Sequence, residues 1–180
     1  MQLKLFRVFN RESTLPKIDS YFSDYLTVSD YTVGIPYDYG KNNYKKLLEV
    51  MKNMEVKQFI ITPEKFFKLL NSSINEGYFL SDIQFLESVP AEHQELITHY
   101  KNNINSILNP FEKQSMATKL FSELDWLITD ESIDIKKINI RINSDATPIQ
   151  VDVEIYNNGV ILLDDISVKE KVVNLLTGIE

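Results

Sequence analysis

Residues 138–165 read INIRINSDATPIQVDVEIYNNGVILLDD. Ile138, Ile140 and Ile142 alternate with polar residues, and Ile149, Val151, Val153 and Ile155 do the same. A period of two sets one side of each run against a core and the other toward water. Asn157-Asn158-Gly159 supplies left-handed turn residues before the apolar run Val160 to Leu163, so these pieces predict an antiparallel meander. Beyond it, Ser167-Val168-Lys169-Glu170 has the spacing of a capping box for a last helix bearing Val168, Val172, Leu175 and Leu176, closed by Gly178.

Upstream the period changes to that of a helix. Leu96, Ile97, Tyr100, Ile104, Ile107 and Leu108 mark one amphipathic helix; Ala117, Leu120, Phe121, Leu124, Leu127 and Ile128 mark a second. Asn109-Pro110-Phe111-Glu112 stops the first and caps the second, so the two form a helical hairpin or a kinked pair. Residues 1–88 are mixed. Residues 3–9 are apolar on both faces, as a central strand is, and Tyr31, Val33 and Ile35 alternate as a second strand. Pro16 opens a short helix, and Tyr44, Leu47, Leu48, Met51 and Met54 share the face of another. Phe59 to Ile61 read as a third strand, and Thr62-Pro63-Glu64 starts a short helix. Residues 72–88 fit no single period, and Ser81 to Gln84 could cap a further helical turn.

The expected fold class is therefore α+β: a mixed N-terminal half, a central helix pair, and a C-terminal antiparallel meander with a closing helix. The length of 180 residues suits one compact domain, or two halves packed together, 1–88 and 89–180. Without cysteine there are no disulfides, no thiolate nucleophile and no zinc site built on sulfur. The opening MQLKLFRVFN lacks a signal-type apolar stretch, and Val160 to Leu163 is far too short to span a bilayer. A cytoplasmic protein is expected. Isoleucine, lysine and asparagine number 20, 16 and 15 against 3 alanines, a bias suggesting an A+T-rich bacterial or phage genome.

Charge is uneven along the chain. Residues 1–60 carry 9 basic and 7 acidic side chains, net +2; residues 61–120 carry 5 and 7, net −2. Residues 121–180 carry 5 and 12, net −7. With 3 arginines and no basic run longer than Lys45-Lys46 or Lys136-Lys137, direct nucleic-acid binding is disfavoured. The five glycines form neither a P-loop nor a dinucleotide fingerprint, so no nucleotide cofactor is expected. His93 and His99 are six residues apart, too far round a helix to share a ligand, and Glu95 could meet His99 as a surface pair. No serine elbow accompanies them.

Two features point to binding. Six of nine tyrosines (Tyr21, Tyr25, Tyr31, Tyr37, Tyr39, Tyr44) lie within 24 residues, among small polar neighbours. Tyr37 and Tyr39 flank a turn-like Pro36-Tyr37-Asp38-Tyr39-Gly40 and are candidate interface anchors. Asp152, Glu154, Asp164 and Asp165 are candidate steering charges for a partner with a basic surface. The expectation is a non-enzymatic protein-binding protein without metal or cofactor, an acidic inhibitor or immunity-type factor. Two alternatives remain: a metal-dependent nuclease or hydrolase using the meander acids with Asp134 and Lys136, and a structural subunit that self-assembles through the helix pair at 91–128.

Overall fold

A computed structural model describes residues 1–22, 24–38, 43–145 and 148–179. The strands are β1 (Gln2–Val8), β2 (Leu26–Thr27), β3 (Thr32–Pro36), β4 (Val56–Gln58), β5 (Phe79–Phe85), β6 (Ile135–Asn143), β7 (Gln150–Tyr156) and β8 (Val160–Leu163). The helices are α1 (Arg11–Tyr21), α2 (Asn43–Lys52), α3 (Pro63–Asn75), α4 (Ala91–Ser106), α5 (Pro110–Thr129) and α6 (Lys169–Thr177), with a 3-10 turn at Ile166–Val168. The fold is α+β, and all strand pairs among the described residues are antiparallel.

One eight-stranded sheet runs through both halves of the chain in the order β2-β3-β1-β8-β7-β6-β5, with β4 also on β1. β1 is central, as its two apolar faces require. β3 pairs along one edge, while the other is divided: β8 takes residues 2–4 and β4 takes residues 6–8. Leu5 is the handover. Its N–H donates to the Gly159 carbonyl at 2.8 Å, and its carbonyl accepts from Phe59 N–H at 3.1 Å.

The meander forms as its alternation predicts. Ile138, Ile140, Ile142, Val151, Val153, Ile155 and Ile161 bury one face against Ile97, Ile104, Ala117, Leu120, Leu124 and Leu127 of the helix pair. Each such aliphatic side chain removed from water contributes roughly 1.5–3 kcal/mol before chain entropy is charged against it. On the opposite face of the sheet, Phe6, Val8, Val33 and Ile35 meet Ile18 of α1 and Leu47 and Met51 of α2 in a second, smaller core. Among the described residues, the helices of this cluster lie over the β1–β3 part of that face. The meander part keeps its polar side chains Lys137, Asn139, Arg141, Asp152 and Glu154.

Several elements depart from the expected ones. α1 begins at Arg11, five residues before Pro16, because the Asn10 side chain accepts from Ser13 N–H at 3.2 Å and starts the helix there. Pro16 sits within the helix on its exposed side, where water can reach the carbonyl that its missing N–H leaves unpaired. The third strand is Val56–Gln58 rather than 59–61. Phe59 and Ile61 are nonetheless buried, and Ile61 N–H bonds the Asn157 carbonyl at 2.8 Å. α3 starts at Pro63 as expected but runs 13 residues, and Thr62 makes no side-chain capping bond. Asp165 rather than Ser167 caps the last helical segment, and Gly178 ends it with right-handed backbone.

The ambiguous stretch 72–88 contains a strand. β5 is the outer edge of the sheet, and Ser81 forms a bulge between the pairs Leu80–Ile140 and Asp82–Asn139. A bulge breaks the alternation, which is why the period was unreadable. The free edge is closed by α4. The Asn105 carboxamide accepts from Leu80 N–H at 2.9 Å and donates to Leu80 carbonyl at 2.8 Å, and Lys101 Nζ donates to Ser81 carbonyl at 2.6 Å. Asn105 thus replaces a missing strand at one residue. Asn105→Ala is expected to lower stability by about 2 kcal/mol, because it strands two partly buried backbone groups at once. Urea denaturation with an unchanged slope would measure it.

Candidate functional site

The order β3–β1–β8–β7 determines which of the candidate residues lie near one another. Tyr37 N–H bonds the Gln2 carbonyl at 3.1 Å, Leu163 N–H bonds the Met1 carbonyl at 2.8 Å, and Asp164 N–H bonds the Asp152 carbonyl at 3.2 Å. Reading across one end of the sheet therefore gives Tyr37, Met1, Asp164 and Asp152 on successive strand ends. Adjacent strands are about 4.8 Å apart, so Tyr37 and Asp164 begin about 10 Å from each other at the backbone. Asp165 and Ile166 continue this rim, and Met1 and Ile166 are 38% and 58% exposed. Glu154 lies two residues further into the sheet along β7. Tyr39 lies outside the described residues.

Tyr37 is half-buried, and its ring meets Tyr44 at 5.0 Å between centroids. It forms one wall of a hollow of about 250 Å³ with Phe22, Pro36 and Leu47. That hollow shares Tyr21, Lys46 and Val50 with a larger groove of about 600 Å³ between α1 and α2. Tyr21 is the exposed aromatic common to both.

The acids differ sharply in their surroundings. Asp152 lies opposite Arg141 in the ladder and accepts from its Nε at 3.0 Å. Glu154 is held by Lys137 Nζ at 2.8 Å and by the Tyr156 hydroxyl at 2.5 Å. Partial burial pushes the Glu154 carboxyl up, but the hydrogen bonds from Lys137 and Tyr156 and the lysine charge outweigh it and hold the group below the usual glutamate range. The same burial works against the Lys137 ammonium, which Glu154 more than offsets, and the Tyr156 phenol is raised by burial and by Glu154. Asp165 accepts from Ser167 N–H at 2.7 Å and is lowered by that backbone bond and by the Ser167 hydroxyl. Asp164 is exposed and meets no cation among the described residues.

This pairing bears on the metal alternative. The lysine that joins the acids is Lys137, whereas Lys136 and Asp134 are both exposed beside it. Among the described residues no three histidine, aspartate or glutamate side chains converge as metal ligands do. The helix pair at 91–128 forms the predicted hairpin, and its apolar face is already buried on the chain's own sheet.

The histidines are placed differently from their sequence reading. His99 Nε2 lies 3.0 Å from the Asn103 amide rather than against Glu95. His93 stacks on Trp126 at 4.3 Å between centroids, and its Nδ1 hydrogen-bonds Glu123 across the hairpin. Glu123 and Trp126 are three residues apart and so share a helical face; pairing the start of α4 with the end of α5 would have exposed this cluster. The sequence reading also missed Arg141 and Lys137 as cross-strand counter-ions, although the register of a two-residue period sets them opposite Asp152 and beside Glu154.

Compared with known proteins, the chain matches no family model, no curated protein and no solved structure. No helix among the described residues is long and apolar enough to cross a membrane.

Proposed function

We propose that this chain is a non-enzymatic protein-binding protein of the inhibitor or immunity type, which engages a basic partner through the rim at the Tyr37 end of the sheet. One observation carries the reading: the strand order brings Tyr37 and the acids Asp164, Asp165 and Asp152, far apart in sequence, to one edge of the molecule. A tyrosine braced by a second ring gives wide contact at low entropic cost, and acids around it speed the encounter with a basic surface. Because Arg141 already balances Asp152, steering falls mainly on Asp164 and Asp165, with Met1 and Ile166 as the apolar part of the patch.

The test is capture of a partner from the native host with the full chain immobilised, followed by kinetics on the purified pair. The double variant Asp164→Asn, Asp165→Asn keeps the capping geometry, since asparagine caps as well as aspartate. It is expected to slow association several-fold and flatten its salt dependence. Tyr37→Ala is expected to speed dissociation by about tenfold or more. Recovery of the chain alone and monomeric, or a partner whose binding neither variant alters, would falsify the proposal.

A further inference from the structure

The start of β5, the end of β6, the start of β7, the end of α4 and the first turn of α5 surround an open cleft of about 200 Å³. Lys113, Arg141, Asn105, Asn143 and Gln150 line it, and among the described residues no carboxylate does. Asp152 does not line the cleft but pairs with Arg141 Nε at 3.0 Å, so two cations face one acid and the local excess is positive in a chain of net charge −7.

The lining is organised. Arg141 is held by its Nε bond to Asp152 at 3.0 Å, and its guanidinium carbon lies 5.4 Å from the Phe79 ring centroid. That fixes the plane of the fork and leaves its Nη groups as donors. Asn105 is pinned by its two bonds to Leu80, and Lys171 Nζ holds the Asn143 carbonyl at 2.8 Å. Lys113 stands in the first turns of α5, where the helix dipole adds to its charge, and its amine meets no carboxylate at ion-pair distance among the described residues. The cationic donors come from two walls, one on the sheet and one on α5. A tetrahedral oxyanion carries acceptor oxygens out of one plane and can meet both walls at once.

We infer that this cleft binds a phosphate group, with Lys113 and Arg141 as its two cationic contacts. A phosphorylated solute and a lipid headgroup share that chemistry. Leu108 between the helices and Phe111 on the first turn of α5, 95% and 88% exposed, are respectively three residues from Asn105 and two from Lys113, where a headgroup-bound protein would meet acyl chains.

Calorimetric titration of the full chain with inorganic phosphate, against chloride at equal ionic strength, tests the solute source. Cosedimentation with phosphatidylcholine vesicles containing about one-fifth phosphatidic acid tests the headgroup. Saturable binding in either arm is expected, weakened about tenfold or more by Lys113→Gln and by Arg141→Lys, which keeps the charge but loses the fork. Binding of the free ion identifies a solute site; binding of vesicles alone, reduced further by Leu108→Ser, identifies the headgroup. No binding in both arms, or binding that Lys113→Gln leaves unchanged, overturns the inference. Lys113 lies on a helix surface outside both cores, so that variant folds.

Discussion

Gly159→Ala is expected to destabilise the protein by about 3–5 kcal/mol, or to prevent folding, through a single added methyl group. Two costs combine at this residue. Its φ of +77° is left-handed backbone, which costs an L side chain about 1–2 kcal/mol. In addition, a Cβ there would lie 2.1 Å from the Phe59 carbonyl oxygen and 3.2 Å from its carbon, both backbone atoms that cannot rotate aside. The site is the handover at Leu5, where the Gly159 carbonyl and the Phe59 N–H take the two groups that β8 and β4 leave unpaired. Displacing Phe59 therefore breaks ladder bonds as well as packing. Gly77 supplies the control, since its φ is +73° and an added Cβ meets nothing within 4 Å. Gly77→Ala should cost only the conformational part, about 1–2 kcal/mol. Equal losses for the two variants in urea denaturation would show that the close approach at Phe59 carries no weight.

That contrast also shows which parts of the fold were legible. The meander and the helix pair announce themselves because each buries one face, so hydrophobic period and burial coincide from Ala117 to Leu127 and along the meander, except at Ile149, which precedes β7 and is exposed. Asn109 is equally plain, since its side chain accepts from Phe111 N–H at 3.0 Å as a cap should. β5 was hidden because the Ser81 bulge shifts its alternation in mid-strand, and the true start of α1 because Asn10 caps a helix that carries Pro16 in its interior. Exposure in the pair also broke the pattern: Leu108 continues the apolar stripe of α4 in sequence yet follows the C-cap, where the helix no longer carries it inward. For the candidate site, residue types were readable and neighbours were not. The acids were chosen for their charge, but Arg141 and Lys137 became their partners only through ladder register. Tyr37 joined Asp164 only through a strand order that no local pattern encodes.

Lys4→Met should reverse the usual effect of losing a hydrogen bond, raising stability at neutral pH and losing that advantage in alkali. Lys4 has 0% exposure, on the face of β1 shared with Phe6 and Val8, and its Nζ donates to the Asn158 carbonyl. Burial without an anionic partner lowers the amine from 10.5 to about 8. Below about pH 8 the folded protein thus holds a buried charge that the unfolded chain would keep in water. Between about pH 8 and 10.5 the unfolded chain binds the proton and the folded one does not, so stability rises with pH across that window. From pH 7 to about pH 9.5 the wild-type gain from this group is about 2 kcal/mol. Methionine carries no proton and shows none of it, although it leaves the Asn158 carbonyl without its donor, a cost of about 1–2 kcal/mol at every pH. The Tyr25, Tyr78 and Tyr156 phenols, all raised first by burial, act oppositely because the unfolded chain loses their protons first. They enter above about pH 10 and cancel between the two proteins. The measured quantity is therefore the difference in unfolding free energy between Lys4→Met and wild type, followed from pH 7 to 9.5. It should fall by about 2 kcal/mol over that range. A difference that stays flat would mean that the amine keeps its proton in the fold, with water or a carboxylate reaching a side chain that the packing here encloses.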